Sequence, residues 1–256
     1  MGYVVFKNGL PVAYAGSWIL FDSARIGLNV FPAYRGGESQ FIFEQVLYLH
    51  RKVYNLKRFT VDPYQIGKDN SDGILSGAFW VYHRAGFRPV KGEQRLLAEE
   101  EYLKIKSIKD YHSSGSVLKK LAASRGELVL NKKAVGFDAT DLSIVYAKIL
   151  KNEYNNRKQA EETLYKKMAS MLQIKNYQEE KMQFILRNWC LLLITNKTIK
   201  FDLIFRKKLK KLFELKAYGD EEDYIHEMQR FTELRKLLEI QVKENIWSIA
   251  YGLCLI

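Results

Sequence analysis

The segment Arg35-Gly36-Gly37-Glu38-Ser39-Gln40 sets a cation and two glycines between an apolar run ending at Val30 and a helix-forming stretch. A glycine-containing loop between a strand and a helix bares backbone N–H groups at the positive end of the helix dipole, which is a physical recipe for holding a pyrophosphate. Gly36 and Gly37 let the backbone approach phosphate oxygens closely, and Arg35 adds a charge-assisted contact. On local chemistry alone the same pattern also serves as an ordinary tight turn. The other reactive side chains are less suggestive. His50 and His83 have no second ligand four residues on and no acidic partner in an HExxH pattern, so they read as packed or exposed histidines, and no metal is expected. Cys190 sits in a Trp-Cys-Leu-Leu-Leu run, where a buried inert thiol is expected; with Cys254 it forms neither a CxxC pair nor a disulfide framework. The run Arg206-Lys207-Lys208-Leu209-Lys210-Lys211 is interleaved with Leu203, Ile204, Leu209, Leu212 and Phe213 at helical spacing, which favours a solvated helix face over a nucleic-acid contact.

The elements that must position the loop follow from turn chemistry and periodicity. Asn8-Gly9 between Val4–Lys7 and Val12–Leu20 predicts a hairpin, because those residues supply the positive φ angles of a two-residue turn. Ala24–Val30 reads as a third strand, residues 41–56 as an amphipathic helix with cations in its last turns, and Arg58–Val61 as a strand. A polar loop, a helix over Ile74–Ala85 and a closing strand over Gly86–Val90 complete the region. Beyond residue 95 the chain is rich in Lys, Glu and Leu and carries no proline; helices are expected near 96–111, from the Asp138 cap to Lys151, and over about 157–173, 177–195, 198–217 and 221–250. The expected class is α+β: a mixed, mostly antiparallel sheet flanked by helices over residues 1–95, then an all-helical extension over 96–256.

The chain has 256 residues, of which 47% are hydrophobic and 13% aromatic, so global disorder and low-complexity classes are excluded. A net charge of +12 favours a polyanionic partner: nucleic acid, acidic membrane or a phosphorylated small molecule. The longest apolar runs, Trp189–Ile194 and Ile246–Ile256, fall short of the roughly 18 residues a membrane span needs, and no leader precedes the Tyr3–Phe6 strand, so a cytoplasmic protein is expected.

Two segments carry a family resemblance. Val30, Pro32, Tyr34, Arg35 and Gly36 match the start of a V-x-P-x-Y-R-G-x-G-x-G/A loop, and Ala78, Tyr82, Gly86 and Phe87 match an A-x-x-x-Y-x-x-x-G-F segment. Over residues 3–92 the chain thereby resembles the GNAT-type acyl-CoA-dependent N-acyltransferases. The resemblance implies transfer of an acyl group, acetyl or another, from acyl-CoA to an amine. It also implies that residues 35–40 (Arg35, Gly36, Gly37, Glu38, Ser39, Gln40) hold the coenzyme pyrophosphate. Leu28, Asn29 and Val30 would lie where their strand splays from its neighbour, offering backbone groups to the acyl arm, while Tyr82 protonates the departing thiolate. Asp62 is the first candidate base, although a carboxylate there serves equally as a cap for the following loop. The Asp62–Asn70 loop would form part of the acceptor or acyl pocket. Three differences from the pattern stand out: the 35–39 loop is one residue short with Glu38 at the phosphate seat, the Asp62–Asn70 loop is longer than the family usually has before its tyrosine helix, and the chain starts in the hairpin where the family places a strand and two helices. The helical extension would then serve acceptor binding, a homodimer or a protein partner. Two other readings remain open: a catalytically degenerate scaffold of the same fold, and a basic nucleic-acid-associated protein.

Overall fold

A computed structural model describes residues 1–36, 38–196 and 199–247. Gly37, Cys254 and most of the Ile246–Ile256 run lie outside these. The chain divides into two compact units, Met1–Ala134 and Val135–Ile256. Among the described residues no helix is long and apolar enough to cross a membrane.

The first unit is built on a six-stranded sheet. Strands β1 (Gly2–Lys7) and β2 (Leu10–Leu20) form the expected hairpin, with Asn8 at φ 50° and Gly9 at φ 79°. Strand β3 (Ser23–Val30) pairs antiparallel with β2 along its whole length, and helix α1 (Ser39–Tyr54) then crosses over to β4 (Arg58–Val61), which pairs parallel with β3. Ile42, Phe43, Val46, Leu47, His50 and Tyr54 form the buried stripe of α1. Asn55 ends the helix in the left-handed region, at φ 49°. His50 is buried and fully used: its Nδ1 lies 2.8 Å from the Val46 carbonyl, and its Nε2 contacts Tyr3 Oη and lies 2.9 Å from Ser17 Oγ.

Two expectations for this unit need correction. The stretch 74–85 is two short helices, α2 (Ser71–Leu75) and α3 (Ala78–Arg84), broken at Gly77, whose φ of +62° lies in the left-handed region that glycine adopts at least cost. The strand that follows, β5 (Arg88–Pro89), has two residues and does not reach β4. Between them lies β6 (Gly126–Val129), which pairs antiparallel with both, giving the order β1-β2-β3-β4-β6-β5. The sheet is therefore completed by residues beyond 95, after helices α4 (Gly92–Ser107) and α5 (Gly115–Leu121), and the first unit ends at Ala134 rather than near 95. Gly126 is required at the start of β6: a methyl group there would lie 2.7 Å from Val61 Cγ1. The buried Arg58 guanidinium ties three strands together, donating to Glu127 Oε1 at 2.7 Å and to Ser23 Oγ at 3.3 Å.

The second unit is helical: α6 (Ala139–Glu153), α7 (Arg157–Leu172), α8 (Glu180–Ile194), α9 (Leu203–Tyr218), α10 (Glu221–Arg230) and α11 (Thr232–Val242). Asp138 and Asp141 form a reciprocal capping box at the start of α6. Met168, Met182, Leu186, Leu193, Leu209, Leu212, Leu234 and Leu238 form its core. In α9 the basic run turns Leu209 and Leu212 inward, while Lys208 pairs with Glu233 and Lys211 with Glu227, each at 2.8 Å. Cys190 is buried with its thiol on the Arg187 carbonyl, and burial pushes its pKa up to about 12.

Candidate functional site

Strands β3 and β4 stay in register over only three pairs, Ser23–Arg58, Ala24–Phe59 and Arg25–Thr60. Beyond Arg25, β3 runs on to Val30 without β4 beside it, so backbone groups on that side have no ladder partner. The Leu28 N–H there is met by a side chain, donating to the Tyr82 hydroxyl at 3.3 Å. Tyr82 reaches this point from α3, where Phe43 (4.7 Å between ring centres) and Phe87 (5.6 Å) pack edge-on against its ring. Tyr82 is buried, and burial pushes its hydroxyl up to about 12 against the opposing pull of the Leu28 N–H. The phenol is therefore protonated throughout the neutral range. Tyr82 and Leu28, two of the residues singled out in the sequence, are thereby in contact.

In the loop before α1, of which Gly37 lies outside the described residues, the polar groups are wired to one another and to neighbouring elements. A 3-10 turn over Pro32–Tyr34 leads to Gly36 at φ +128°, with the space a Cβ would occupy left open. Gly36 N–H donates to Ser39 Oγ at 3.3 Å, and Ser39 N–H to the Gly36 carbonyl at 3.1 Å. Glu38 accepts from Lys7 at 2.5 Å, which draws its charge away to the hairpin. Gln40 donates to Glu44 at 2.7 Å while its buried Oε1 has no partner among the described residues. Arg35 faces back into the protein: its Nε donates to the Val30 carbonyl at 2.9 Å and its guanidinium pairs with Asp72 at 2.7 Å. That pair pulls the Asp72 carboxyl below the usual range. Val30 itself is buried against Val12, Ala13 and Ile42, so its contribution to the site is the carbonyl that anchors Arg35.

Asp62 does not stand ready as a base. One oxygen caps the turn Pro63–Ile66, accepting from Tyr64 N–H at 2.9 Å, and the other pairs with Arg25. With both oxygens engaged the carboxylate shapes the loop, the capping role its position also suggested. The same loop brings in a side chain that sequence reasoning did not single out. The Gln65 carboxamide lies directly over Gly27, where a methyl group would sit 3.1 to 3.3 Å from its atoms. Glycine inside a strand marks close approach of another group, and that was the available signal. Further along, residues 67–71 with Ile74, Leu75 and Lys119 line a surface cavity of about 680 Å³. Among the described residues no group of three or more His, Cys, Asp or Glu is placed to hold a metal.

No protein-family model, curated protein or solved structure matches this chain.

Proposed function

We propose that the first unit transfers an acyl group from an acyl-CoA thioester to an amine. The observation that carries the reading is the meeting of the Leu28 N–H and the Tyr82 O–H where β3 leaves β4. A thioester in that gap exchanges one long hydrogen bond for two: Leu28 N–H donates to the carbonyl oxygen, and Tyr82 O–H donates to the sulfur. As the amine nitrogen bonds to the acyl carbon, the C–S bond breaks. Tyr82 gives its proton to the sulfur, and its phenolate takes the proton shed by the nitrogen, so amide and thiol form with no net change at the phenol. This cycle needs no free carboxylate, in keeping with the double engagement of Asp62. The Gly36 turn at the start of α1 supports a phosphate seat, with Glu38 drawn off to Lys7. Lys68 and Lys119 in the wall of the neighbouring cavity, offset in part by Asp69, leave positive charge there for a phosphorylated ligand.

Isothermal titration with acetyl-CoA tests this directly: binding is expected below millimolar, and no heat at millimolar coenzyme removes the reading. Tyr82→Phe is expected to lower kcat by about 100-fold while leaving coenzyme affinity near that of the parent, since its proton acts on the leaving group. Equal losses of both would assign Tyr82 to packing. A second reading, a non-catalytic scaffold for protein contacts, is favoured by one observation. Arg35, the cation of the loop, is committed to Val30 and Asp72. It predicts no coenzyme binding at all.

A further inference from the structure

We propose that the acceptor is a primary amine on a slender apolar body, and that it approaches over the exposed face of β1, β2 and β3, where Gln65 receives its nitrogen. This rests on the acyl-transfer reading above. Pairing of the three strands sets Gly2, Gly16 and Gly27 in one row across the sheet. Ala13, Ala15 and Ser17 of β2 are buried, whereas the alternate residues Tyr14 and Trp18 are exposed, so the glycine row lies on the open face. Bare backbone is thus presented at Gly2 and Gly16, and the third glycine of the row, Gly27, is covered by the Gln65 carboxamide. The result is a trough with Val4 and Tyr14 along one side and Trp18 along the other, the Arg25 guanidinium 5.7 Å from the Trp18 ring centre. The two aromatic residues are four apart on one strand, about 13 Å, enough for a planar ring or an unbranched chain lying on the glycines but not for a bulky body.

The trough ends at Gly27, whose Cα is about 2.4 Å from the Leu28 nitrogen by covalent geometry. Gln65 closes this end, and its carboxamide makes no hydrogen bond with the described residues, although its backbone N–H is held by the Asp62 carbonyl at 3.0 Å. A neutral amide oxygen accepts an N–H from the amine and favours the ammonium form, which has no lone pair to attack with, far less than a carboxylate in its place would. The nearby carboxylate, Asp62, would favour the ammonium, and its pairing with Arg25 quenches that effect. The nitrogen then sits beside the gap that holds Leu28 N–H and Tyr82 O–H.

The test uses the full chain with 2-phenylethylamine as acceptor and acetyl-CoA as donor. Gly16→Val fills the trough at a position where a Cβ meets nothing nearer than the Met1 carbonyl at 4.0 Å, and its circular dichroism is expected to match that of the parent. It is expected to raise KM for the amine about tenfold or more and to abolish amine-dependent quenching of tryptophan fluorescence, with acetyl-CoA affinity unchanged. Gln65→Glu is expected to move the pH optimum upward, since a carboxylate holds the amine protonated, a shift that a merely structural role for Gln65 would not give. Acetyl-CoA binding together with an unaltered amine titration in Gly16→Val and an unmoved pH profile in Gln65→Glu overturns the proposal while leaving acyl transfer standing. Absence of acetyl-CoA binding by the parent overturns both.

Discussion

The fold disfavours protonation of His83. The side chain is buried among Phe79, Trp80 and Tyr102, and neither ring nitrogen has a hydrogen-bond partner among the described residues. Burial is the main cause of its lowered pKa, with Arg88 and Arg84 adding repulsion, and together they bring it down to about 4. An unfolded histidine binds its proton at about 6.5, so the unfolded state takes up a proton first as pH falls. The associated stability is present above pH 6.5 and is lost progressively between 6.5 and 4, amounting to about 3 kcal/mol over that window. His83→Phe keeps the ring stacking and removes the titration. Urea unfolding at pH 7 and pH 4 is expected to show the parent losing about 3 kcal/mol more than this variant. Equal losses in the two proteins would show that His83 acquires a partner in solution. At this scale residue types were legible and contacts were not: the hydrogen bond from Leu28 N–H to the Tyr82 hydroxyl could not be read from spacing, and Arg35 and Asp62 have their charges already spoken for by Asp72 and Arg25. Spacing says where a side chain begins; it does not say which nearby charge it finds.

Among the elements, those written in local chemistry were readable and those made by tertiary contacts were not. The Asn8-Gly9 turn, the Arg58–Val61 strand and the Asp138 cap carry their own signals. Strand β6 has four residues, opens on a glycine and lies among helix formers; it is a strand because β4 and β5 pair with its two edges. The break between α10 and α11 falls at Phe231, with no glycine or proline. The ring of that residue packs against Phe205 at 5.0 Å, so burial of an aromatic side chain outweighs continuation of the helix. The opposite case is Gly77, which divides α2 from α3 through its own backbone. A methyl group there touches nothing within 4 Å, so the cost of substitution is conformational alone. Gly77→Ala is expected to destabilise the protein by about 1 to 2 kcal/mol and Gly77→Asn by less, because asparagine tolerates positive φ. Thermal melts of the two variants check the order, and a larger loss for asparagine would contradict it.

For the whole molecule the decisive fact is that the sheet closes only with Gly126–Val129. A fragment ending at residue 95 leaves β4 with one neighbour and strips Arg58, a buried cation, of Glu127. A fragment of residues 1–134 is therefore expected to unfold cooperatively on heating, and one of residues 1–95 to show no cooperative transition; circular dichroism of both decides. The opposite margin of the sheet has no such finish. Strand β1 is paired to β2 alone, and Val4 and Phe6 on it are more than half exposed. Its free edge is a template on which a second chain can add a strand, so slow fibrillar growth from concentrated stocks is expected to begin there and to be delayed in Val4→Lys, as light scattering over days would record.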